Sequence, residues 1–303
     1  MSPLVSLIMP VRLIRREWLL EAVGSALDEH EVAVELVVVD DASPESVQEA
    51  LEPVRDPRLR VIRIAHAGPY GARNSGLAAA AGDWVRFVDS DDLVTRGSTG
   101  RLFKAAAGER VIAYGGTLVC DEQLTPRRLI ASSLEGSVEA PCVLGRFDVR
   151  VVSMLFPRDV VDAAGQWDPS FRVSGDWDFV LRTVELAPVR PVDVIATQYR
   201  RHAASVTRTA DVAAGERARE RIVDRYFERR PEQLGGASSQ EVRLNLLLDS
   251  AAAYAHHVER RAALARLARA STIRPAAAAA AAARLLPRLV FGTRLARGRA
   301  SLG

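Results

Sequence analysis

The chain has 303 residues, 48% hydrophobic and 26% charged. These are the proportions of a folded protein with room for one large domain or two modest ones. Cys120 and Cys142 are its two cysteines; they form no metal-ligand spacing, which argues against a disulfide framework and suits a reducing compartment. The net charge is +3, but ten Arg and one Glu between Ala255 and Gly303 carry +9 and leave −6 on the rest, so the chain has two electrostatic halves.

LVSLIMP (4–10) reads as a short buried strand ended by Pro10. Its apolar start has no basic leader, so no signal peptide is expected. REWLLEAVGSALDE follows, with Leu19, Leu20, Val23, Ala26 and Leu27 on one helical face. VELVVVD (34–40) is a near-continuous apolar run of strand length, the pattern of a parallel sheet covered on both faces. After the loop DASPES comes a polar helix near 45–53, then a third strand, RVIRI (60–64). GARNSGLAAAAGD (71–83) reads as a helix bounded by glycines, and WVRFVD (84–89) as a fourth strand. This alternation predicts an open parallel sheet with helices on both faces. In such sheets ligands lie beyond the carboxyl ends of the strands, where Pro10, Asp40, Asp41, Asp89 and Asp91 converge.

From 96 to 160 the pattern weakens to one strand, within 108–119. Residues 165–185 are clearer: Trp177, Val180, Leu181 and Val184 form a helical stripe, with Ser174 and Gly175 as cap candidates. VDVIATQYRRH (192–202) is a further strand. Beyond 211 the chain is Ala- and Arg-rich and helical in pattern, so we place a domain at 1–210 and a helical C-terminal region at 211–303. The most apolar stretch there, from Ala276, is broken by Arg284, Pro287 and Arg288, so no membrane-spanning helix is expected.

FVDSDDL (87–93) packs Asp89, Asp91 and Asp92 into four positions at a strand end. Clustered carboxylates repel one another. A hard cation offsets that cost, and Mg²⁺ or Mn²⁺ favours one or two carboxylates plus phosphate oxygens. The cluster therefore predicts a metal–diphosphate site, against the alternative of a solvated turn capping the next helix. Asp40 and Asp41 have two readings, a hydrogen-bond acceptor for a base or ribose and a cap or Asx-turn. Arg73, early on a helix, suits phosphate or a plain surface. Asp176 lies in a first helical turn, where the helix dipole favours a carboxylate. It is a candidate general base or a simple helix-start aspartate. His202 is a candidate metal or phosphate contact, or neither.

Together VSLIMPV, ELVVVDDASPES, ARNSGLAAAAGDWVRFVDSDDL, WDPSF, SGDWDFVLR and YRRHAASVT resemble the family-2 glycosyltransferases, inverting enzymes of the GT-A fold. The pieces run in family order over about 200 residues, and the ARN-x-G block followed by F-x-DSDD is the most specific of them. The resemblance implies a GT-A-type open, mostly parallel nucleotide-binding sheet flanked by helices, with a C-terminal helical region. It implies a hexosyltransferase-type enzyme of polysaccharide or glycolipid synthesis, dependent on Mn²⁺ or Mg²⁺, with a UDP-, GDP- or dTDP-sugar donor and a carbohydrate or lipid-linked acceptor. Carried over by position, Pro10 and Asp41 would line the base pocket. Arg73 would approach the base or diphosphate. Asp89 and Asp91 would be the two acids of the D-x-D motif and metal ligands, Asp91 the main one and Asp89 nearer the ribose, with Asp92 in support. Asp176 would be the catalytic base, and His202 would approach the metal or diphosphate.

Two departures stand out. Gly175 occupies a position where relatives often carry Glu, and Arg12, in PVRLIR, stands where an aromatic often lies near the base. A nucleotidyltransferase would carry a glycine-rich basic signature after the first strand, which VRLIRREW lacks; a degenerate binding module is the non-enzymatic rival. For the basic stretch 255–303 the readings are an acceptor-side or dimer appendage and a peripheral contact at the inner, cytoplasmic face of a membrane. Nucleic-acid binding is not expected, because no aromatic residues interleave with the arginines.

Overall fold

The structure, a computed structural model, describes residues 3–12, 15–203, 211–230, 239–256 and 259–291. The boundary expected at residue 210, the end of the YRRHAASVT segment and part of the basic stretch 255–303 lie outside them. The chain divides into two compact units, one of residues 1–142 and 146–209, the other of 143–145 and 210–303.

In the first unit the elements run β1 (Leu4–Val11), α1 (Arg16–Leu27), β2 (Ala33–Asp41), α2 (Val47–Ala50), β3 (Leu59–Ile64), α3 (Gly68–Ala79), β4 (Trp84–Phe87), β5 (Leu93–Val94) and α4 (Ser98–Ala106). They continue with β6 (Ile112–Cys120), β7 (Pro126–Ile130), α5 (Glu139–Val143), β8 (Met154–Pro157), α6 (Arg158–Ala164), α7 (Gly175–Val184) and β9 (Val189–Arg200). The sheet order is β3-β2-β1-β4-β8-β6-β9-β5, with β7 paired to β6.

The first four strands form the parallel half, in register along β3, β2, β1 and β4. Beyond β4 the sheet becomes mixed. β8 joins β4 and β6 antiparallel, β9 joins β6 parallel, and β5 and β7 add antiparallel. The middle of the chain, where the sequence pattern is faint, therefore supplies β8 and much of this second half.

The apolar runs of β1 and β2 divide by parity. Val5, Leu7, Met9 and Val11 join Val34, Leu36 and Val38 in a core with Leu19, Ala22, Val23 and Ala26 of α1. Val37 and Val39 pack on the other face against Ala72 of α3. Both faces are thus covered, which is why those strands read as continuous rather than alternating hydrophobes. α3 lies close to the sheet because residue 76 has no side chain: a Cβ there would stand 2.4 Å from Ile8 Cγ2.

The second unit holds α8 (Val212–Arg229), α9 (Ser239–His256), α10 (Arg260–Ile273) and α11 (Pro275–Phe291). Asp211 caps α8 by accepting the N–H groups of Ala213 and Ala214. Ala251, Tyr254, Ala263, Leu267, Ala281 and Leu285 form a core among α9, α10 and α11. Glu216 of α8 is held there by Arg266, at 3.0 and 2.5 Å, and by the Tyr254 hydroxyl at 3.2 Å. No helix among the described residues is long and apolar enough to cross a membrane.

Candidate active site

The acidic turn after β4 is clamped to the end of β9. Asp92 is buried; its Oδ1 accepts the backbone N–H of Arg200 at 2.8 Å. The Arg200 side chain returns the contact, donating from Nε to the Asp91 carbonyl at 3.0 Å and from Nη1 to the Glu122 carbonyl at 2.8 Å. This clamp brings His202 beside the turn, with Nε2 2.8 Å from Asp91 Oδ2. Burial and the neighbouring Asp89 raise the pKa of Asp91, opposed by His202. Asp92 is pushed well above the usual carboxylate range by burial and by both other aspartates. Asp89 turns to α3, where its Oδ1 accepts from Arg73 Nη2 at 2.7 Å.

Arg73 is 6% exposed and stands on an aromatic pile. Its guanidinium lies 4.8 Å from the Trp167 ring centroid and 5.7 Å from that of Tyr70. Trp167 stacks on Phe179 at 4.1 Å and on Tyr70 at 5.5 Å, with Phe87 of β4 edge-on at 4.9 Å. Asn74, next in the ARN segment, grips the Trp167 backbone with both ends of its amide. The ARN, WDPSF and SGDWD segments thus meet in one cluster. Buried polar atoms left without a partner gather at the site: Arg73 Nε, Trp167 Nε1 and Asp92 Oδ2 are three of the five among the described residues. Such atoms are uncommon in folded proteins and mark places worth explaining by a missing partner.

The two helices of the site share an unusual beginning. The residue before α3, Ala67, offers no side-chain cap. Instead Asp41, 2% exposed at the end of β2, accepts the N–H groups of Ala67 at 2.6 Å and Gly68 at 3.0 Å, and its Oδ2 lies 2.8 Å from His66 Nδ1. Asp40 makes the Asx-type contact, accepting the Ser43 N–H at 2.8 Å, and pairs with Arg63 at 2.6 Å. The cap reading of both residues therefore describes their present contacts. The residue before α7, Ser174, also makes no side-chain cap. There the Tyr70 hydroxyl accepts the Gly175 N–H at 2.9 Å. Asp176 follows at once, in the first turn of α7, with Oδ1 accepting the Trp177 N–H at 3.0 Å. Ala42 and Ser174, two of three non-glycine residues with positive φ among those described, flank Asp41 and Gly175; strained backbone of this kind clusters at functional sites. Pro10 lies partly exposed one residue from the end of β1, level with Val39.

Among the described residues no group of three or more His, Cys, Asp or Glu is arranged to hold a metal. Asp91 and His202 offer two adjacent donors, and Asp89 is engaged by Arg73. A pair of protein donors suits a cation that completes its shell with phosphate oxygens and water, and a cation would offset the burial and the neighbouring Asp89 charge that raise the Asp91 pKa.

Sequence reasoning missed Trp18. Its ring lies 4.9 Å from that of His202, with the guanidinium groups of Arg15 at 4.1 Å and Arg200 at 4.8 Å from its centroid. Arg200, Tyr70 and His66 were missed as well. Each acts through a partner distant in sequence, and none carries a local pattern.

A family model described as glycosyl transferase family 2 matches residues 6–141. Among similar curated proteins, the succinoglycan biosynthesis protein ExoO of Rhizobium meliloti is 38% identical over 104 residues, 34% of this chain and 28% of that protein. The uncharacterized glycosyltransferase EpsJ of Bacillus subtilis is 37% identical over 117 residues, 38% of this chain and 34% of that protein. The matched stretches thus span about a third or less of these relatives' own length. The crystal structure of S. aureus TarS 1-349 in complex with UDP-GlcNAc resembles the present fold with a TM-score of 0.61, at 15% identity, covering 94% of this chain and 89% of that one. The chain has the GT-A fold of that structure, with C-terminal helices.

The matched segment contains Asp41, Tyr70, Arg73 and the three aspartates of the acidic turn, but stops before Asp176 and His202. The structure ties those two to it, His202 through Asp91 and the Asp176 helix through Tyr70.

Proposed function

We propose that the chain is an inverting, metal-dependent glycosyltransferase that moves a sugar from a nucleotide-diphosphate donor to an acceptor hydroxyl. The observation that carries this is the role of α3. Arg73 holds Asp89 of the acidic turn, and Tyr70, one helical turn earlier, holds the N-terminus of the Asp176 helix. One helix therefore spans the diphosphate-binding and proton-accepting parts of a single site.

In this reading Asp91 and His202 would hold Mn²⁺ or Mg²⁺, which would supply Lewis-acid stabilisation of the departing diphosphate when bound. Arg73, whose Nε lacks a partner, adds fixed positive charge at the diphosphate. Pro10 and Asp41 border the base, and Asp92 keeps the turn clamped to β9. Asp176 takes the proton of the acceptor hydroxyl as that oxygen forms its bond to the anomeric carbon. The bond from that carbon to the diphosphate breaks on the opposite face, its electron pair leaves with the diphosphate, and the configuration inverts.

A UDP-sugar is the first donor to test, because the similar TarS structure holds UDP-GlcNAc. A saccharide or lipid-linked acceptor in polysaccharide synthesis agrees with the name of the succinoglycan relative. Exposed Leu264 and Leu286, beside exposed Arg260, Arg261 and Arg284 on α10 and α11, support peripheral contact with anionic lipid; flotation with anionic liposomes checks it. The site itself is tested by calorimetry of UDP with and without Mn²⁺. Tighter binding with Mn²⁺, lost in Asp91→Ala, is expected; affinity indifferent to both would remove Asp91 from the metal role.

A further inference from the structure

We infer that Tyr70 is a positioning residue for Asp176, acting as the N-terminal cap of α7 from a different helix. The inference rests on Asp176 being the proton acceptor.

The first backbone N–H groups of a helix have no partner within it, and a side chain at the preceding residue ordinarily supplies one. Ser174 is of a type suited to that task but makes no such bond. It stands in the left-handed region, at φ 62°, with its capping role passed to Tyr70. The Tyr70 hydroxyl accepts the Gly175 N–H at 2.9 Å. The backbone leading into Asp176 is therefore anchored at the residue before it.

The anchor is rigid. Tyr70 is 7% exposed, and its ring lies parallel to Trp167 within 7°. Trp167 in turn stacks on Phe179 of α7, one helical turn beyond Asp176. The ring and hydroxyl of Tyr70 thus fix α7 at two levels. Burial, and next the Asp176 charge, push the Tyr70 phenol up to about 12, so it stays protonated through any ordinary assay pH.

The arrangement also accounts for Gly175. A Cβ at that residue would lie 2.6 Å from two atoms of the Tyr70 ring. Residue 175 can carry no side chain while Tyr70 holds this place, so the departure from Glu at 175 and the presence of Tyr at 70 are two halves of one packing choice. In this chain an aromatic hydroxyl on α3 orients the residue that an acidic neighbour often precedes in relatives.

The experiment measures UDP release from UDP-GlcNAc with Mn²⁺, together with UDP affinity by calorimetry and the melting temperature, in Tyr70→Phe, Gly175→Ala and Asp176→Asn. Tyr70→Phe keeps the ring stack and removes the hydroxyl. It is expected to lower kcat about tenfold through misplacement of the base, with KM and UDP affinity within about twofold of the parent. Gly175→Ala, which displaces the ring, is expected to show the same split. A Tyr70→Phe enzyme with unchanged kcat, while Asp176→Asn is inactive, would overturn this inference and leave the proposed function standing. A loss shared equally by kcat and UDP affinity would make Tyr70 merely structural and also overturn it. Unchanged turnover in Asp176→Asn would overturn the base assignment and this inference together.

Discussion

Asn74 and Trp167, separated by 93 residues, are joined at both ends of one amide: the side-chain nitrogen donates to the Trp167 carbonyl at 2.9 Å, and the side-chain oxygen accepts the Trp167 N–H at 2.8 Å. A loop with no regular structure of its own is thereby given the backbone partners a strand would have supplied. Trp167 is almost fully buried, so these bonds decide where its ring sits, and with it the Arg73 guanidinium above the ring. Asn74→Ala leaves two backbone groups unpaired and is expected to cost about 2 kcal/mol. A lower urea midpoint at unchanged slope is the expected result; an unshifted midpoint would show the loop is held by other means.

The parallel half of the sheet was legible because β1 to β4 and their helices carry dense local patterns, and the acidic turn lay at the end of one of them. The helix expected at 71–83 begins at Gly68 and ends at Ala79. Its start moves forward because Asp41, a residue of another strand, caps it. Its end moves back because the Ala81 N–H turns to Glu35 and the Gly82 N–H to Ser6. The polar helix expected near 45–53 shrinks to Val47–Ala50. What stayed hidden were pairings between segments remote in sequence: β8 between β4 and β6, Arg200 on the acidic turn, and Tyr70 on Gly175. Each depends on chain closure that no short window of residues encodes.

Gly76 and Gly24 both sit in helices and separate packing from propensity. At Gly76 a Cβ would meet Ile8 Cγ2 at 2.4 Å, whereas at Gly24 nothing lies within 4 Å. Gly76→Ala is expected to destabilise by about 2 kcal/mol through overpacking. Gly24→Ala is expected to stabilise by about 0.5 kcal/mol through helix propensity. Thermal unfolding of both variants checks the contrast, and equal shifts in one direction would contradict the close approach of α3 to β1.

In the second unit, Glu216 has its pKa lowered, first by the hydrogen bond from Arg266, with burial opposing. A carboxylate whose folded pKa is depressed contributes stability that is fully present above its ordinary value of 4.5 and is lost as pH falls through the folded value. Glu216→Gln should therefore flatten the acid limb of helical unfolding below that pH. Arg266→Ala leaves a nearly buried carboxylate without its cation and is expected to cost more at neutral pH, about 3 kcal/mol. Circular dichroism of the variants from about pH 3 to about pH 7, across the carboxylate range, is the check, and an acid limb unaltered in Glu216→Gln would remove this pair from the stability of the unit.

The central claim is that the acidic turn and the α7 N-terminus are two parts of one transfer site, with Asp176 accepting the proton. Its most direct measurement is turnover of UDP-GlcNAc by Asp176→Asn, paired with calorimetry of UDP and Mn²⁺ on the same sample. The account predicts a fall in turnover of about a hundredfold or more with UDP affinity unchanged. Near-parental turnover, or a loss explained wholly by weaker UDP binding, would contradict it.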